Sequence, residues 1–421
     1  MAAQTSPGSS PRLRSARTAG IALFLLVSLN LFNFIDRYVL PGVQPLIQSE
    51  FHLNLAQVGT LTSAFFFTYM LIAPLTGWLG DRMSRKPLII AGALLWSAAT
   101  LFTALVHSYE TLLIRHAVVG IGEATFSIFA PAMLADFYAE EDRNRVLTIF
   151  YFTIPVGGAL GYILGGTLGQ QFGWRAPFYI AAAPGVLIAL AFWLFVREPE
   201  RGAADTLEAT HSRASFVGLF SNPAYWTATL GMAMWTFAVG GISAFLPTFF
   251  RDVVHFSLSH ADLTTGEITA VDGLAATLIG GWIAQIWLKR DHRAFYLVSA
   301  WSAILAIPFG ALVFFGPMRW LVPGAWLAEF CLFLNTGPLN TAIVNSVSAP
   351  IRATAISVNL FVIHLLGDFP SPHLIGWIAD RHGLRIGMGA TLVSLALSGI
   401  ILFAGARFAP RLPDLEKKPS S

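Results

Sequence analysis

The sequence predicts an all-α integral membrane protein of twelve transmembrane helices, arranged as two six-helix halves. Three observations predict this fold class: an apolar composition, recurring apolar segments of spanning length, and an internal repeat at helix ends. Hydrophobic residues make up 55% of the 421 positions and charged residues only 12%, about half the ~25% of a soluble domain. Lipid must therefore be the solvent for most of the side chains.

The same composition argues against other classes of protein. The net charge of +3 contains no basic cluster of the kind that binds nucleic acid. The single cysteine, Cys331, excludes an internal disulfide and a metal site built from cysteines. Because no nucleophile–base motif and no metal-binding motif occurs, the sequence predicts neither an enzyme nor a bound cofactor.

Apolar segments follow one another along the chain with short polar breaks, and each has about the twenty residues needed to cross hydrocarbon. The predicted helices span 20–47, 56–80, 87–107, 110–138, 144–170, 174–197, 223–250, 262–288, 293–315, 320–348, 352–379 and 385–408. The predicted organisation is a disordered cytoplasmic tail (1–19), an N-terminal half (20–197), a cytoplasmic linker (198–222), a C-terminal half (223–408) and a second cytoplasmic tail (409–421).

The distribution of Arg and Lys sets the orientation. Nineteen of the 26 fall on the side of the termini, five fall in loops on the opposite side, and two lie within spans. This asymmetry places both termini in the cytoplasm under the positive-inside rule.

A repeated motif closes the middle helix of each triplet. GWLGDRMSRK (77–86) ends helix 2 and GWIADRHGLR (376–385) ends helix 11, while GWIAQIWLKR (281–290) and the looser GTLGQQFGWR (166–175) end helices 8 and 5. Since helices 2 and 5 end on opposite faces, the three-helix units within each half are inverted. Nested inverted repeats are the scaffold of transporters that expose one site alternately to two sides.

These motifs carry a resemblance to a known family. GWLGDRMSRK resembles the loop between helices 2 and 3 of the major facilitator superfamily. Within that superfamily, NFIDRYVLPGV (33–43), the helix 4 segment 115–138 with its continuation 150–166, and HLLGDFPSPHLIGWIAD (364–380) resemble the spinster family. The resemblance implies a carrier of single-chain lipids, either lysophospholipids or sphingosine-1-phosphate, with proton coupling.

The expected setting follows from the same resemblance. The partners are a lysolipid or similar amphiphile, protons and membrane lipids, and the expected state is a monomer. A marked excess of Arg over Lys favours a bacterial chain in the inner membrane.

The alternative function is a proton-coupled carrier of a small organic anion such as a sugar acid, because the superfamily fold hosts many substrates.

Four charged residues interrupt helices 1 and 4: Asp36, Arg37, Arg115 and Glu123. Each ionisable side chain at membrane depth costs ~2.5–3.5 kcal/mol or more, so such groups pair with each other or line a cavity. The resemblance implies that Asp36 and Glu123 couple protons and that Arg37 and Arg115 bind substrate. Desolvation favours a protonated carboxyl group and a nearby Arg favours the anion, so a moving Arg would load and release a proton. The alternative is a static lattice that holds helices 1 and 4 together.

Helix 11 carries a second polar pair, His364 and Asp368, one turn apart and followed by prolines. Both are candidate substrate-binding residues, and the alternative is a local hydrogen bond between them. Asp272 and Glu329 also lie within apolar segments, but no motif accompanies them.

The loop after helix 2 is the candidate gate. A carboxylate there can sit against the positive N-terminus of helix 11 and pair with basic residues when the cytoplasmic side is closed. The alternative is a basic loop that only sets topology. The predicted gating residues are Asp81, Arg82, Arg85, Arg143 and Arg145.

Overall fold

The computed structural model describes residues 11–80, 83–138, 140–199, 216–347 and 351–410. Within those ranges the protein is built from α-helices joined by short turns and contains no strand. The helices are α1 (Pro11–Phe51), α2 (Leu55–Gly80), α3 (Arg85–Thr103), α4 (Tyr109–Phe137), α5 (Glu140–Phe172), α6 (Ala176–Phe195), α7 (Phe216–Phe220), α8 (Pro223–Asp252), α9 (Leu258–Leu288), α10 (Ala294–Phe315), α11 (Leu321–Phe333), α12 (Thr336–Asn345), α13 (Arg352–Ile363), α14 (Pro370–His382) and α15 (Leu384–Gly405). The predicted all-α membrane fold is confirmed.

Eleven helical segments in the described part of the chain are long and apolar enough to cross a membrane. The predicted count of twelve is not reached by this criterion, because the segment expected at 352–379 is not among the eleven. That segment is nevertheless helical, as α13, a π turn (His364–Asp368) and α14. It carries several polar side chains along its length, among them those of Asn359, His364 and Asp368.

Prolines explain the two interrupted helices. The helix expected at 320–348 is divided into α11 and α12; Pro338 has no N–H to donate to the carbonyl group of Leu334, four residues earlier. Pro370 likewise follows the π turn, in which the N–H of Phe369 donates to the carbonyl oxygen of His364 at 3.0 Å. Single π turns within helices often occur at functional sites.

Several helix boundaries differ from the prediction by four residues or more, and two of them concern helix starts with a visible cause. Helix α1 begins at Pro11, within the segment expected to be a tail, because proline at a first helical position lacks only an N–H that would have no partner there. Helix α9 begins at Leu258, four residues earlier than predicted, where the Ser257 hydroxyl accepts a hydrogen bond from the N–H of His260. The short helix α7 lies in the predicted linker, most of which falls outside the described residues.

The helix connections define two faces. The distal face carries the turns α1–α2, α3–α4, α5–α6, α8–α9, α10–α11 and α14–α15, and the linker face carries the other connections together with both ends of the described chain. One buried apolar cluster lies within the N-terminal helices α1–α6 and another within the C-terminal helices α8–α15. A third contains the distal ends of both groups.

The two groups of helices therefore meet at the distal face. Helix α2 packs on α14 and helix α5 packs on α9, with glycines at the closest approaches. Small residues let helix backbones come together in this way within a membrane. Because the distal ends are closed, access to the middle of the protein is from the linker face.

Candidate transport site

An ion pair joins α1 to α4 at mid-membrane. The Nε and Nη2 atoms of Arg37 donate to Oε2 of Glu123 at 3.0 and 2.7 Å. The Glu123 side chain is completely buried, whereas 18% of the Arg37 side chain is exposed. Gly120 and Gly122 flank Glu123 and let α4 approach α2 and α3 closely. The carboxylate is thus shielded from water while the guanidinium borders an open space.

Aromatic rings hold Arg37 on its other sides. Its guanidinium carbon lies 4.8 Å from the ring centroid of Phe34, 4.9 Å from that of Phe65 and 5.4 Å from that of Tyr69. Cation–π contacts of this kind contribute ~0.5–2 kcal/mol each. The rings therefore stabilise the cation on the sides that do not face the carboxylate.

Asp36 occupies a separate position beside this pair. It is buried and accepts a hydrogen bond from the hydroxyl group of Thr100 on α3. Asn33, one turn earlier on α1, faces the Glu123 carboxylate. The two acids predicted to couple protons therefore lie in one polar cluster, but Arg37 binds only Glu123 among the described residues.

The C-terminal helices contribute His364 and Asp368 to the same region. Nδ1 of His364 lies 2.8 Å from Oδ2 of Asp368, so the hydrogen bond within this pair is present. The imidazole ring stacks on Phe66 at 5.6 Å and meets the edge of Tyr69 at 5.3 Å. Tyr69 contacts Arg37 and His364, and therefore links the polar groups of the two halves.

Two neighbouring cavities lie near this cluster, and Tyr38, which lines one of them, follows Arg37 directly in the chain. The cavity lined by Tyr38 and Tyr162, of about 340 Å³, lies between the halves, and the other, of about 420 Å³, lies within the C-terminal helices. They share four lining residues: Ile242, Leu246, Glu329 and Leu332. The hydroxyl group of Thr269 donates to Glu329 at 3.3 Å. The cavity within the C-terminal helices is mainly apolar, whereas the cavity between the halves is lined by both apolar and polar side chains.

Arg115 lies apart from the Arg37–Glu123 pair. It is half-buried, with its guanidinium carbon 4.7 Å from the ring centroid of Phe102 on α3. Among the described residues it forms no ion pair with Glu123. Its role in binding substrate stays a prediction.

We expect Arg115→Lys to weaken binding of phosphate-bearing amphiphiles about tenfold without lowering the melting temperature by more than a few degrees. The ammonium group keeps the charge but loses the planar fork that binds phosphate with two hydrogen bonds. Binding titrations with a lysophospholipid and a phosphate-free single-chain amphiphile test this. An equal loss for both ligands would assign Arg115 to packing against Phe102.

The predicted cytoplasmic gate is only partly within the described residues. Asp81, Arg82 and the side chain of Arg143 fall outside them, and Arg145 is exposed near the start of α5. Arg85 pairs with Asp136 and donates to the carbonyl oxygen of Ala132 at 3.1 Å. In addition, the Glu198 carboxylate accepts from the backbone N–H groups of Arg85 and Lys86. The gating assignment of these residues stays a prediction.

The distal face contains a contact that the sequence analysis missed. The carboxylate of Asp380 accepts hydrogen bonds from the backbone N–H groups of Leu55 (2.7 Å) and Ala56 (2.9 Å), at the N-terminus of α2. Such an anion at a helix N-terminus is stabilised by the helix dipole. Asp380 holds the place in GWIADRHGLR that Asp81 holds in GWLGDRMSRK. The motif repeat therefore contained the signal for this residue.

Comparison with known proteins agrees with the fold. The family model described as Major Facilitator Superfamily matches residues 26–372, and the chain belongs to this superfamily of membrane transporters. Within it the chain belongs to the spinster family. It is 33% identical to "Sphingosine-1-phosphate transporter SPNS2" of Danio rerio over 391 residues, which are 87% of this chain and 77% of that protein.

Further relatives lead to the same family. "Protein spinster homolog 1" of Homo sapiens is 32% identical over 387 residues, covering 86% of this chain and 73% of that one. A crystal structure of a bacterial homologue of the human lysosomal transporter spinster, in an inward-facing and unoccupied conformation, superposes with a TM-score of 0.84 at 26% identity, covering 96% of this chain and 100% of the other. The closed distal face described above fits that inward-facing form.

Proposed function

We propose that this protein is a proton-coupled transporter of single-chain amphiphilic lipids, such as lysophospholipids or sphingosine-1-phosphate, working by alternating access. One observation carries the proposal: an apolar cavity within the C-terminal helices shares its lining with a second cavity that reaches Tyr38, the residue after Arg37 of the Arg37–Glu123 pair. An acyl chain would lie in the two cavities, and the headgroup would lie near Arg37. The relative named for sphingosine-1-phosphate transport supports the same substrate class.

The lining of the cavity within the C-terminal helices separates this proposal from the alternative. A sugar acid carries several hydroxyl groups, each of which costs ~1–3 kcal/mol when it is buried without a partner. The cavity within the C-terminal helices offers only Glu329 and Thr391 as polar side chains among its lining residues. An alkyl chain, in contrast, gains ~0.8 kcal/mol for each CH₂ group buried there. We therefore favour the lipid.

The proton cycle that we propose uses Glu123 and Asp36. The ion pair with Arg37 favours the ionised form of the Glu123 carboxyl group, against the effect of its complete burial. When substrate draws Arg37 away, the lone buried acid favours the protonated form. Competition for Arg37 would thus exchange substrate for a proton. In the cell we place the protein in a bacterial inner membrane as a monomer, with its linker face and both termini in the cytoplasm.

Reconstitution tests the substrate. Purified protein in proteoliposomes should carry a lysophospholipid with saturable kinetics and faster in the presence of a pH gradient, and should carry neither a diacyl lipid nor a sugar acid. The partitioning of lysolipid into the bilayer is controlled by empty liposomes of the same composition. Saturable, gradient-driven uptake of a sugar acid, with no transport of any single-chain lipid, would contradict the proposal.

A further inference from the structure

The closed distal interface buries a carboxyl group that the transport site does not use. Asp262 lies one turn into α9, in the C-terminal half, and is fully shielded from solvent. Neither of its carboxyl oxygens has a hydrogen-bond partner among the residues that the structure describes. It is the only described acidic residue with both oxygens in this condition.

The N-terminal half seals this carboxyl group with backbone rather than with side chains. A Cβ atom on Gly42 of α1 would lie 3.3 Å from Oδ1 of Asp262, and one on Gly166 of α5 would overlap the carboxyl group. Asp262 therefore fits a cradle that two glycines of the opposite half create. The cradle exists only while α9 rests against α1 and α5, which is while the distal face is closed.

The surroundings supply no counter-charge. Tyr162 on α5 is the titratable group that faces Asp262, and its hydroxyl group donates to the carbonyl oxygen of Ser243 at 2.7 Å instead. Within the described residues, neither α1 nor α8 brings a charged side chain close enough to influence Asp262. On α1, Gln44 lies two residues after Gly42, and its side chain donates to Thr248 at 3.3 Å.

We propose that Asp262 is a proton-binding site of the distal gate, which closes on the protonated acid and releases the proton when it opens. A carboxylate ion without partners in an apolar interface is strongly disfavoured, so closure requires the neutral acid. Opening separates α9 from α1 and α5 and admits water. The O–H bond then breaks, the proton passes to water on the distal side, and the anion is hydrated.

Two consequences follow from this placement. The closed form holds one proton more than the open form, so the ratio of distal-open to distal-closed protein rises with pH, by up to about tenfold per pH unit. Because the closed interface shields Asp262 from both sides, its proton is not carried across the membrane. The residue acts as a sensor of distal pH, in addition to the acids of the transport site. This inference rests on the proposed alternating access but not on the substrate.

The test measures the distal gate without substrate. The full-length protein carries Cys331→Ser and is placed in nanodiscs. Spin labels at positions 110 and 382 mark the distal ends of α4 and α14. The distance distribution between the two labels is measured from pH 5 to pH 9. The distal-open fraction of the reference protein should grow as pH rises. The distal face of Asp262→Asn should stay mainly closed at pH 9. The change in its open-to-closed ratio with pH should be smaller than that of the reference protein by up to about tenfold per pH unit.

Control variants sharpen the result. Thr264→Val, a neutral change of similar size on the same helix, should keep the full pH response. Asp262→Ser is measured in parallel, to cover the case in which the Asn amide packs poorly. Serine is smaller and also neutral, so this variant should show the same loss of pH response. An unchanged pH response in both Asp262 variants overturns the inference. The absence of any opening in the reference protein at high pH overturns it too. Failure of the substrate proposal would look different: no lysolipid transport by a protein whose distal face still opens with pH.

Discussion

Replacing Glu123 with Gln is expected to reduce transport driven by a pH gradient to the background of empty liposomes while substrate binding persists. The amide cannot take up or release a proton, so the exchange at Arg37 that would link substrate to proton no longer cycles. Its oxygen can still accept a hydrogen bond from Arg37, whose side chain is partly exposed. The protein should therefore fold, bind lysolipid and exchange it in counterflow.

The measurement is initial transport rate against external pH, at matched amounts of folded protein. Glu110→Gln on the first turn of the same helix is the matched control, because Glu110 is an exposed acid remote from Arg37; it should leave the pH profile unchanged. Asp36→Asn should give a similar but smaller loss, since neighbouring acids titrate as a pair. Full, pH-dependent transport by Glu123→Gln would return Glu123 to a structural role between α1 and α4.

Much of the fold was predictable because the membrane constrains it so strongly. In hydrocarbon every backbone polar group must be paired within its own segment, so a run of apolar residues reports a helix with little ambiguity. The predicted helices 2 to 9 and 12 correspond to single helices of the structure with shifts of a few residues. The breaks at Leu334 and at the π turn were harder to predict from the sequence, since some prolines bend a membrane helix and others interrupt it.

The transport site was predictable in part. Buried charge is costly, so Arg37 and Glu123 stood out from the apolar sequence, and the structure pairs them. Their aromatic neighbours did not stand out. Phe65 and Tyr69 belong to a run of aromatic residues on α2 that composition alone would assign to lipid or core. Which ring faces Arg37 depends on how α1, α2 and α13 pack, and that is tertiary information.

Asp262 shows how a small boundary error hides a functional candidate. With helix 8 predicted to start at 262, this acid is expected at the membrane surface, where a charged side chain has a low energetic cost. The actual start at Leu258 moves Asp262 one turn inwards, against the opposite half. The surface that faces Asp262 includes the backbone of Gly42 and Gly166. The sequence therefore contains no basic residue there that would indicate a partner for the acid.

Gly376→Ala is expected to open the distal face and to slow transport severely. A methyl group on Gly376 of α14 would lie 2.5 Å from the carbonyl carbon of Leu55 and 2.8 Å from the N atom of Ala56, both in the backbone of α2. A backbone cannot rotate away as a side chain can, so α14 must separate from α2. Forced overpacking of this kind costs ~1–3 kcal/mol. That is about a 5- to 150-fold shift towards the distal-open form, since 1.4 kcal/mol corresponds to tenfold.

The repeat supplies a control at the equivalent position. Gly281 opens GWIAQIWLKR on α9 as Gly376 opens GWIADRHGLR, yet a Cβ atom on Gly281 would meet no atom within 4 Å. Gly281→Ala changes the same residue type within the same motif and should leave both the distal distances and the transport rate unchanged. Distal label distances and lysolipid transport are measured for both variants. Equal behaviour of the two would mean that the α2–α14 contact does not govern distal closure, and that the motif glycines share a role in helix geometry alone.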